Sequence, residues 1–589
     1  MFQRIPMAAF VVCLLSFTTD TTSAPSSIFV VTVSPTSHSR SAPANTNIVI
    51  TFNQPVNPST IDSVTVKIFG HWSGVPRGQF VVDANNKRVT FTPSRAFNAG
   101  ELVTVSLSKG IKDLNGQAMT FGYAWTFWIR PLPGSLSLQE IDQIPIRRTG
   151  EGHIQSYGAY GGDFDGDGRM DLAIPNEISD DVRLFLNNGT GGYDSLAVFP
   201  LPSGNTPSPN EGADFNGDGI LDYAVGNAGN DRLTVMIGDG NGGFLSSVSY
   251  QAANAVRGVC VLDLDGDGDM DIVTANRTGS NISLFHNNGD GTFAPRINME
   301  ANGSQETACV ATDANNDGTL DVVVGAYGSN EMIVLLGDGN GGLTFSSKIA
   351  AGGKPWMIAA GDVNGDGNVD IVSANSQSNN ASVIFGNGQG GIVLDSVYAV
   401  GSFPLAIDLG DIDGDGDLDM VTSQYGSGNW SVMENLGDGT FGNRRVLPAS
   451  TAGSCATLYD RDNDGDLDMT GIDEIDDLVF LFLNGPPVTV EGESGLPASF
   501  SLLQNYPNPF NPATTIGFQI VDYGIVSLRI YDVLGREVAK LVDGELEPGI
   551  YEVTWDATSY GSAANASGVY FYRLQAATMV QTRKLVLLR

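Results

Sequence analysis

The sequence predicts an all-β protein, a seven-bladed β-propeller flanked by two smaller β-sandwiches. Three observations carry that prediction. A nine-residue motif, D-x-[DN]-x-D-G-x-x-D, begins at Asp163, Asp214, Asp263, Asp313, Asp362, Asp411 and Asp460, with spacings of 51, 49, 50, 49, 49 and 49 residues. Each repeat holds four short apolar stretches and no helical periodicity, and four-stranded blades are the unit that propellers repeat. Outside the repeats, Thr/Val/Ile-rich runs alternate with a period of two, and Gly makes up 73 of 589 residues, which favours turns and short strands over helices.

Taken in chain order, residues 1–24 read as a secretion signal. Arg4 supplies a short basic segment, Met7 to Phe17 is an apolar stretch too short to cross a bilayer, and Thr22-Ser23-Ala24 is a small-residue cleavage site. No other window reads as a membrane helix, so the mature chain is expected outside the cell with no membrane span. It would retain Cys260, Cys309 and Cys455, an odd number. A bridge between Cys260 and Cys309 is conceivable; small buried apolar residues are the plainer reading.

Residues 25–130 form the first sandwich, with alternating runs at Ile48–Phe52, Arg88–Phe91 and Val103–Leu107. Pro131-Leu-Pro-Gly134 marks a linker over 131–135. The propeller occupies 136–485. In each repeat a strand precedes the motif and a second follows it directly, as at Leu172–Ile174. A third comes a few residues later, as at Arg183–Leu186, and a Gly-rich turn such as Asn287–Phe293 leads to the fourth. The last copy ends after its third strand at Leu478–Leu483, while an extra strand-like stretch, Leu136–Ile146, precedes the first copy. That stretch is expected to close the ring as the fourth strand of the last blade, hiding an open edge. A second linker, 486–500, leads to a last β-rich unit, 501–589.

The charge has an address. There are 66 Asp+Glu against 30 Lys+Arg, a net −36, and the seven motifs hold 28 of the acidic residues. Nucleic-acid binding, which needs a basic footprint, is argued against. Oxygen ligands at motif positions 1, 3, 5 and 9, with a carbonyl from position 7 and Gly at 6 for the sharp turn, suit a hard cation. Ca²⁺ takes six to eight oxygens, whereas Mg²⁺ keeps several waters and Zn²⁺ wants His or Cys. The loop is not an EF-hand, whose 12 residues end in a bidentate Glu.

The candidate ligands are Asp163, Asp165, Asp167, Arg169 and Asp171 in the first copy and Asp214, Asn216, Asp218, Ile220 and Asp222 in the second. The third offers Asp263, Asp265, Asp267, Asp269 and Asp271, and the fourth Asp313, Asn315, Asp317, Thr319 and Asp321. The fifth offers Asp362, Asn364, Asp366, Asn368 and Asp370, the sixth Asp411, Asp413, Asp415, Asp417 and Asp419, and the seventh Asp460, Asp462, Asp464, Asp466 and Asp468. Up to seven Ca²⁺ ions are expected, one per repeat. Asn216, Asn315 and Asn364 donate an oxygen without charge, so their loops should bind more weakly.

On these motifs the central region resembles the FG-GAP (VCBS) repeat family, the Ca²⁺-binding propeller repeats also found in integrin α subunits. Ile48-Val-Ile-Thr-Phe-Asn-Gln-Pro-Val56, Val89–Pro93 and Gly110–Gly116 resemble the SbsA-type (Big_5) immunoglobulin-like domain of bacterial surface proteins, which implies a spacer or adhesion module. Leu503-Gln-Asn-Tyr-Pro-Asn-Pro-Phe-Asn-Pro512, Val533–Val538 and Lys584–Leu588 resemble the C-terminal sorting domain of type IX secretion. That resemblance implies handling by the type IX machinery, then release or anchoring at the outer cell surface.

Two functions follow. The first is a non-catalytic binding or adhesion module for a glycan or an extracellular protein. The second is a carbohydrate-active, lyase-like enzyme on a calcium-binding propeller. The sequence leans to the first: of four His only His153 and His286 fall in the repeats, and no Ser-His-Asp, HExxH or Cys-His arrangement stands out. No catalytic residue is assigned. Trp356, Phe403 and Trp430 are the candidate aromatic platforms for stacking on sugar.

Overall fold

The computed structural model describes residues 27–201, 204–485, 501–502, 510, 512–520, 524–546, 549–557, 567–576 and 579–587. The signal segment, the linker 486–500 and most of the 503–512 element lie outside the described residues. The chain divides into two compact units, 1–487 and 488–589. Among the described residues there is no α-helix, only strands and three single-turn 3₁₀ segments.

The first unit holds a sandwich and a propeller. In the sandwich, Val30–Ser34, Ile48–Phe52, Arg88–Pro93 and Gly78–Val82 form one sheet in that order, and Val66–Gly70, Leu102–Leu107 and Tyr123–Trp128 form the other. Period-two alternation sends Ile48, Ile50 and Phe52 inward from one sheet, and Val103, Val105, Trp125 and Phe127 from the facing one.

Seven four-stranded antiparallel sheets follow, six of them in simple meander order. The second strand of every blade, such as Asp171–Asn176 or Asp419–Gln424, is buried over all six of its residues. It has a neighbour strand on each side and a neighbour blade on each face, which is why these runs read as continuous Val/Ile/Ala/Thr rather than alternating. Gln139–Pro145 pairs antiparallel with Leu478–Leu483, Leu478 opposite Pro145 and Leu483 opposite Gln139. The seventh blade is therefore completed by the strand ahead of the first, as the phase of the repeat predicts. The inner strand Gly453–Tyr459 packs against Tyr160–Gly162 and closes the ring.

Chain direction sorts the loops. Each motif joins the inner strand to the second, so all seven lie on one face of the ring. The turns between second and third strands lie on the other.

In the second unit, Ser501–Leu502, Ala513–Ile520 and Gly549–Asp556 form one sheet; Glu537–Leu546, Gly524–Asp532, Gly568–Ala576 and Met579–Leu587 form another. Phe518, Ile530, Trp555 and Tyr572 fill the space between them.

Candidate functional site

The motif loops share one fold. Gly168 and its equivalents at position 6 have positive φ, +91° at Gly168 and +102° at Gly416, conformations that a Cβ disfavours. Position 4 also needs positive φ. Where it is not Gly it is Asn316 (φ 59°) or Asn463 (φ 60°), the residue type that best tolerates the left-handed region.

Backbone N–H groups aim the carboxylates. The position 1 side chain accepts from the position 6 Gly N–H, at 3.0 Å for Asp214 and 2.9 Å for Asp313. Position 3 accepts from the N–H of position 5, and position 5 from that of position 7, as in Asp165, Asp167 and Arg169. The position 9 Asp is an anchor: Asp171 accepts from the N–H of Phe164 at 2.9 Å and from that of Asn187, at the end of the third strand, at 2.8 Å. The same pair of bonds recurs at Asp222, Asp271, Asp321, Asp370, Asp419 and Asp468.

Several of these groups could hold a cation. Oxygens of Asp163, Asp165 and Asp171 lie within 4.8 Å of one another; so do those of Asp263, Asp265 and Asp267, of Asp411, Asp413 and Asp419, and of Asp460, Asp462 and Asp464. Oxygens of Asp163, Asp411, Asp460 and Asp466 are buried without a hydrogen-bond partner. Buried polar atoms are rarely left so. Burial, with neighbouring carboxylates adding to it, pushes Asp263, Asp460 and Asp466 up to about 8 and Asp411 to about 7. Asp171 and Asp419 also rise to about 8, mainly through burial. An all-oxygen donor set with orphaned, crowded carboxylates fits a hard divalent cation, which would supply the charge that lets them ionise together.

Sequence reasoning missed His286, whose Nδ1 stands 3.7 Å from Asp271 and whose ring forms a further potential ligand group with Asp265 and Asp271. It occupies a column that is apolar in most other repeats, such as Leu186 and Ile237, and that break is the signal.

The motif face is not free. The N-terminal sandwich and the linker behind it lie across it and touch every loop. Arg95 donates to Gly168 O at 2.8 Å, and the Asp163 N–H donates to Trp72 O. Lys67 reaches toward Gly217 in the second loop and Asp269 in the third, 3.8 Å from the latter. Ala124 N–H bonds Gly318 O in the fourth loop. Arg40 bonds Asp362 O in the fifth and pairs with Asp417 in the sixth at 2.9 Å, and Leu132 N–H bonds Gly465 O in the seventh. Two position 7 side chains, Asp269 and Asp417, thus serve as docking groups.

The same sandwich floors the central channel with Phe69, His71, Leu102, Thr104 and Thr126, leaving a blind cavity of about 280 Å³. Cys260, Cys309 and Cys455 line it as free, buried thiols. Its mouth opens on the opposite face, where two repeat positions converge, six residues before and fourteen after the first motif Asp. Tyr157, Arg257 and Trp356 hold the first position, and Glu177, Arg277, Tyr327 and Glu474 the second. Trp356 Nε1 donates to Tyr157 Oη at 2.5 Å, Arg257 pairs with Glu177 at 2.8 Å, and Gln155 donates to both Glu177 and Glu474. Burial first, then the charge of Glu177, pushes Glu474 up to about 8.

Of the three expected aromatic platforms, Trp356 and Phe403 are half-buried at this end of the propeller. Trp430 is not a platform. It is fully buried, lies against Phe480, Phe482 and Gly471, and donates to Cys455 O at 2.7 Å. Its strand faces the neighbouring blade, and its ring fills the space that Gly471 leaves.

A family model described as a bacterial Ig-like domain matches residues 23–128. One described as an FG-GAP-like repeat matches 163–225, 214–274, 263–324, 313–373, 362–422 and 411–469. Each of those six windows spans two successive motifs, so together they take in all seven and more than half of the chain. A secretion system C-terminal sorting domain matches 504–588 and marks the protein for export. None of the three models describes an enzyme. No curated protein matches.

Among solved structures, BBS1N, crystallised in complex with ARL6DN, aligns at 11% identity over 60% of this chain and 98% of its own, with a TM-score of 0.43. A lectin from Agrocybe aegerita, solved for recognition of non-reducing terminal N-acetylglucosamine, aligns at 20% identity over 55% of this chain and 87% of its own, with a TM-score of 0.38. A protein of unknown function from Desulfotomaculum acetoxidans aligns at 13% identity over 64% and 96%, with a TM-score of 0.36. At these scores the likenesses say nothing about ligands.

Proposed function

The chain belongs to the FG-GAP-like repeat family, and on that premise we propose that it is a secreted or cell-surface, calcium-dependent binding protein without catalytic activity. Its ligand is a glycan or an extracellular protein, taken on the propeller face opposite the motifs. Residues 25–130, 136–485 and 501–589 are its folded parts. Residues 1–24 direct export, and the type IX machinery handles the C-terminal part.

The observation that carries this reading is the packing of the motif loops. Carboxylates at positions 1 and 3 converge with position 9 or position 5 in four of the loops; those at positions 1 and 9 are shielded, the position 5 Asp keeps an exposed edge, and the sandwich rests on the same loops. Asp163, Asp165, Asp167 and Asp171, with the carbonyl of Arg169, would hold one ion, and the matching residues of the other repeats up to six more. Bound there, Ca²⁺ neutralises the loops and fixes the face on which the sandwich rests. The ions are structural, and the opposite face remains for recognition.

The test is a glycan and protein array probed with the purified chain in Ca²⁺ and in chelator. Selective, calcium-dependent retention without product supports the reading, and no retention of any probe removes it. Chain cleavage would establish the lyase reading instead, for which the raised Glu474 beside Tyr157 and Arg257 is the place to look.

A further inference from the structure

Basic residues are scarce in this chain, yet several gather at the open mouth of the channel. The Arg277 guanidinium stands 4.8 Å from the Tyr327 ring centre and 5.0 Å from that of Trp356, and Lys354 Nζ stands 4.7 Å from the same Tyr327 ring. Among the described residues no carboxylate pairs with Arg277 or Lys354, whereas neighbouring Arg257 is paired with Glu177. Two cations on one ring, without a counter-ion, in a chain of net charge −36 form a positive spot held by aromatic faces. Arg277 and Arg257 share the wall of a shallow depression beside the mouth, and Arg257 continues into the channel. There Asn210 Oδ1 is a buried acceptor without a partner.

We propose that this mouth binds the end of an acidic saccharide, with Arg277 and Lys354 meeting its anionic group and Asn210 Oδ1 accepting from a sugar hydroxyl. The inference rests on the reading of the chain as a binding module and names its ligand class. A guanidinium fork matches carboxylate and sulfate alike. The sandwich floor makes the channel blind, so the site takes a chain end rather than a threaded chain. An unpartnered acceptor inside the mouth takes an O–H or N–H donor, which the hydroxyls of a sugar supply at every ring; a polyglutamate chain, whose backbone N–H groups also donate, is the control that separates the two.

Calorimetry on the full chain in saturating Ca²⁺ tests this with short oligogalacturonate, a sulfated oligosaccharide, a neutral oligoglucoside and a polyglutamate peptide. One or both acidic saccharides should bind, the one that does identifying the anion. The neutral sugar should not. Arg277→Ala and Lys354→Ala should each weaken binding about tenfold, as for loss of one charge-assisted bond, with unchanged melting temperature, while Lys87→Ala on the sandwich leaves it intact. The inference falls if neutral and acidic sugars bind alike, if polyglutamate competes equally, if Arg277→Ala retains full affinity, or if no probe binds. Array binding of a neutral glycan or a protein, indifferent to Arg277, would leave the binding-module reading standing without it.

Discussion

Arg40 of the N-terminal sandwich reaches Asp417, at position 7 of the sixth motif, at 2.9 Å, while its other guanidinium nitrogen donates to the Asp362 carbonyl of the fifth. One side chain thus clips two adjacent motif loops to the domain above them, and both partners are mostly shielded from water. The sandwich is therefore a cap on the face that carries the motif loops.

Arg40→Ala should destabilise the cap by about 1 kcal/mol, the upper range for a partly shielded pair. Arg40→Glu should do more, because it places a third charge beside Asp417 and Asp415. Hydrogen exchange would report it as faster exchange confined to residues 362–368 and 411–419. Uniform exchange across all seven loops would contradict a local clip.

Chelation should lower the melting temperature sharply. Each site held at a hundredfold excess of metal over Kd contributes about 2.7 kcal/mol, and several sites act together. Titrating metal back should fill the loops built on Asp265, Asp413 and Asp462 before those carrying Asn216, Asn315 and Asn364. A melting curve indifferent to chelator would refute a structural role for the ions.

Removing residues 136–147 deletes the strand that pairs with Leu478–Leu483. The seventh blade would lose its outer strand and expose an edge, and cooperative unfolding should give way to a broad, early transition. A single sharp transition at the original temperature would mean that closure contributes little.

Within the blind channel His71 and Glu211 stand 3.6 Å apart, facing the cavity rather than bulk water. Burial pushes Glu211 up to about 8 and His71 down to about 4, so both are neutral near pH 7. Unfolded, Glu211 ionises near its ordinary value; stability should therefore decline as pH rises toward 8. His71 acts in the opposite sense, losing stability as pH falls from 6.5 toward 4. Between pH 6.5 and 8 Glu211 dominates. In saturating Ca²⁺, Glu211→Gln should raise the melting temperature at pH 8 by a few degrees, at about 2–4 °C per kcal/mol, and shrink that gain at pH 6. An equal gain at both would assign the effect to packing.

The repeat, its strands and its closure were readable because their cause is local or periodic. Gly168 and Asn316 sit where the backbone needs positive φ, Asp171 and its six counterparts recur at fixed spacing, and the missing fourth strand left a gap that Leu136–Ile146 could fill. Trp430 misled for a matching reason: its sequence neighbours do not reveal that Gly471, 41 residues further on, leaves room for its ring. The mouth was hidden because its residues are the ones that break the repeat. Aligning the copies at the columns of Tyr157 and Glu177 would have exposed it as a pair of positions with no consensus.

By itself the sequence determined the β class, the number of blades, the seven acidic loops and the C-terminal sorting signal, since strand period, turn chemistry and motif spacing are encoded within a few residues of one another. Only the tertiary structure decided which face of the ring stays open. The sandwich and its linker dock through contacts such as Arg40 with Asp417, Ala124 with Gly318 and Leu132 with Gly465, each joining residues far apart in the chain. Such contacts depend on the assembled ring for their geometry, and no local pattern announces them.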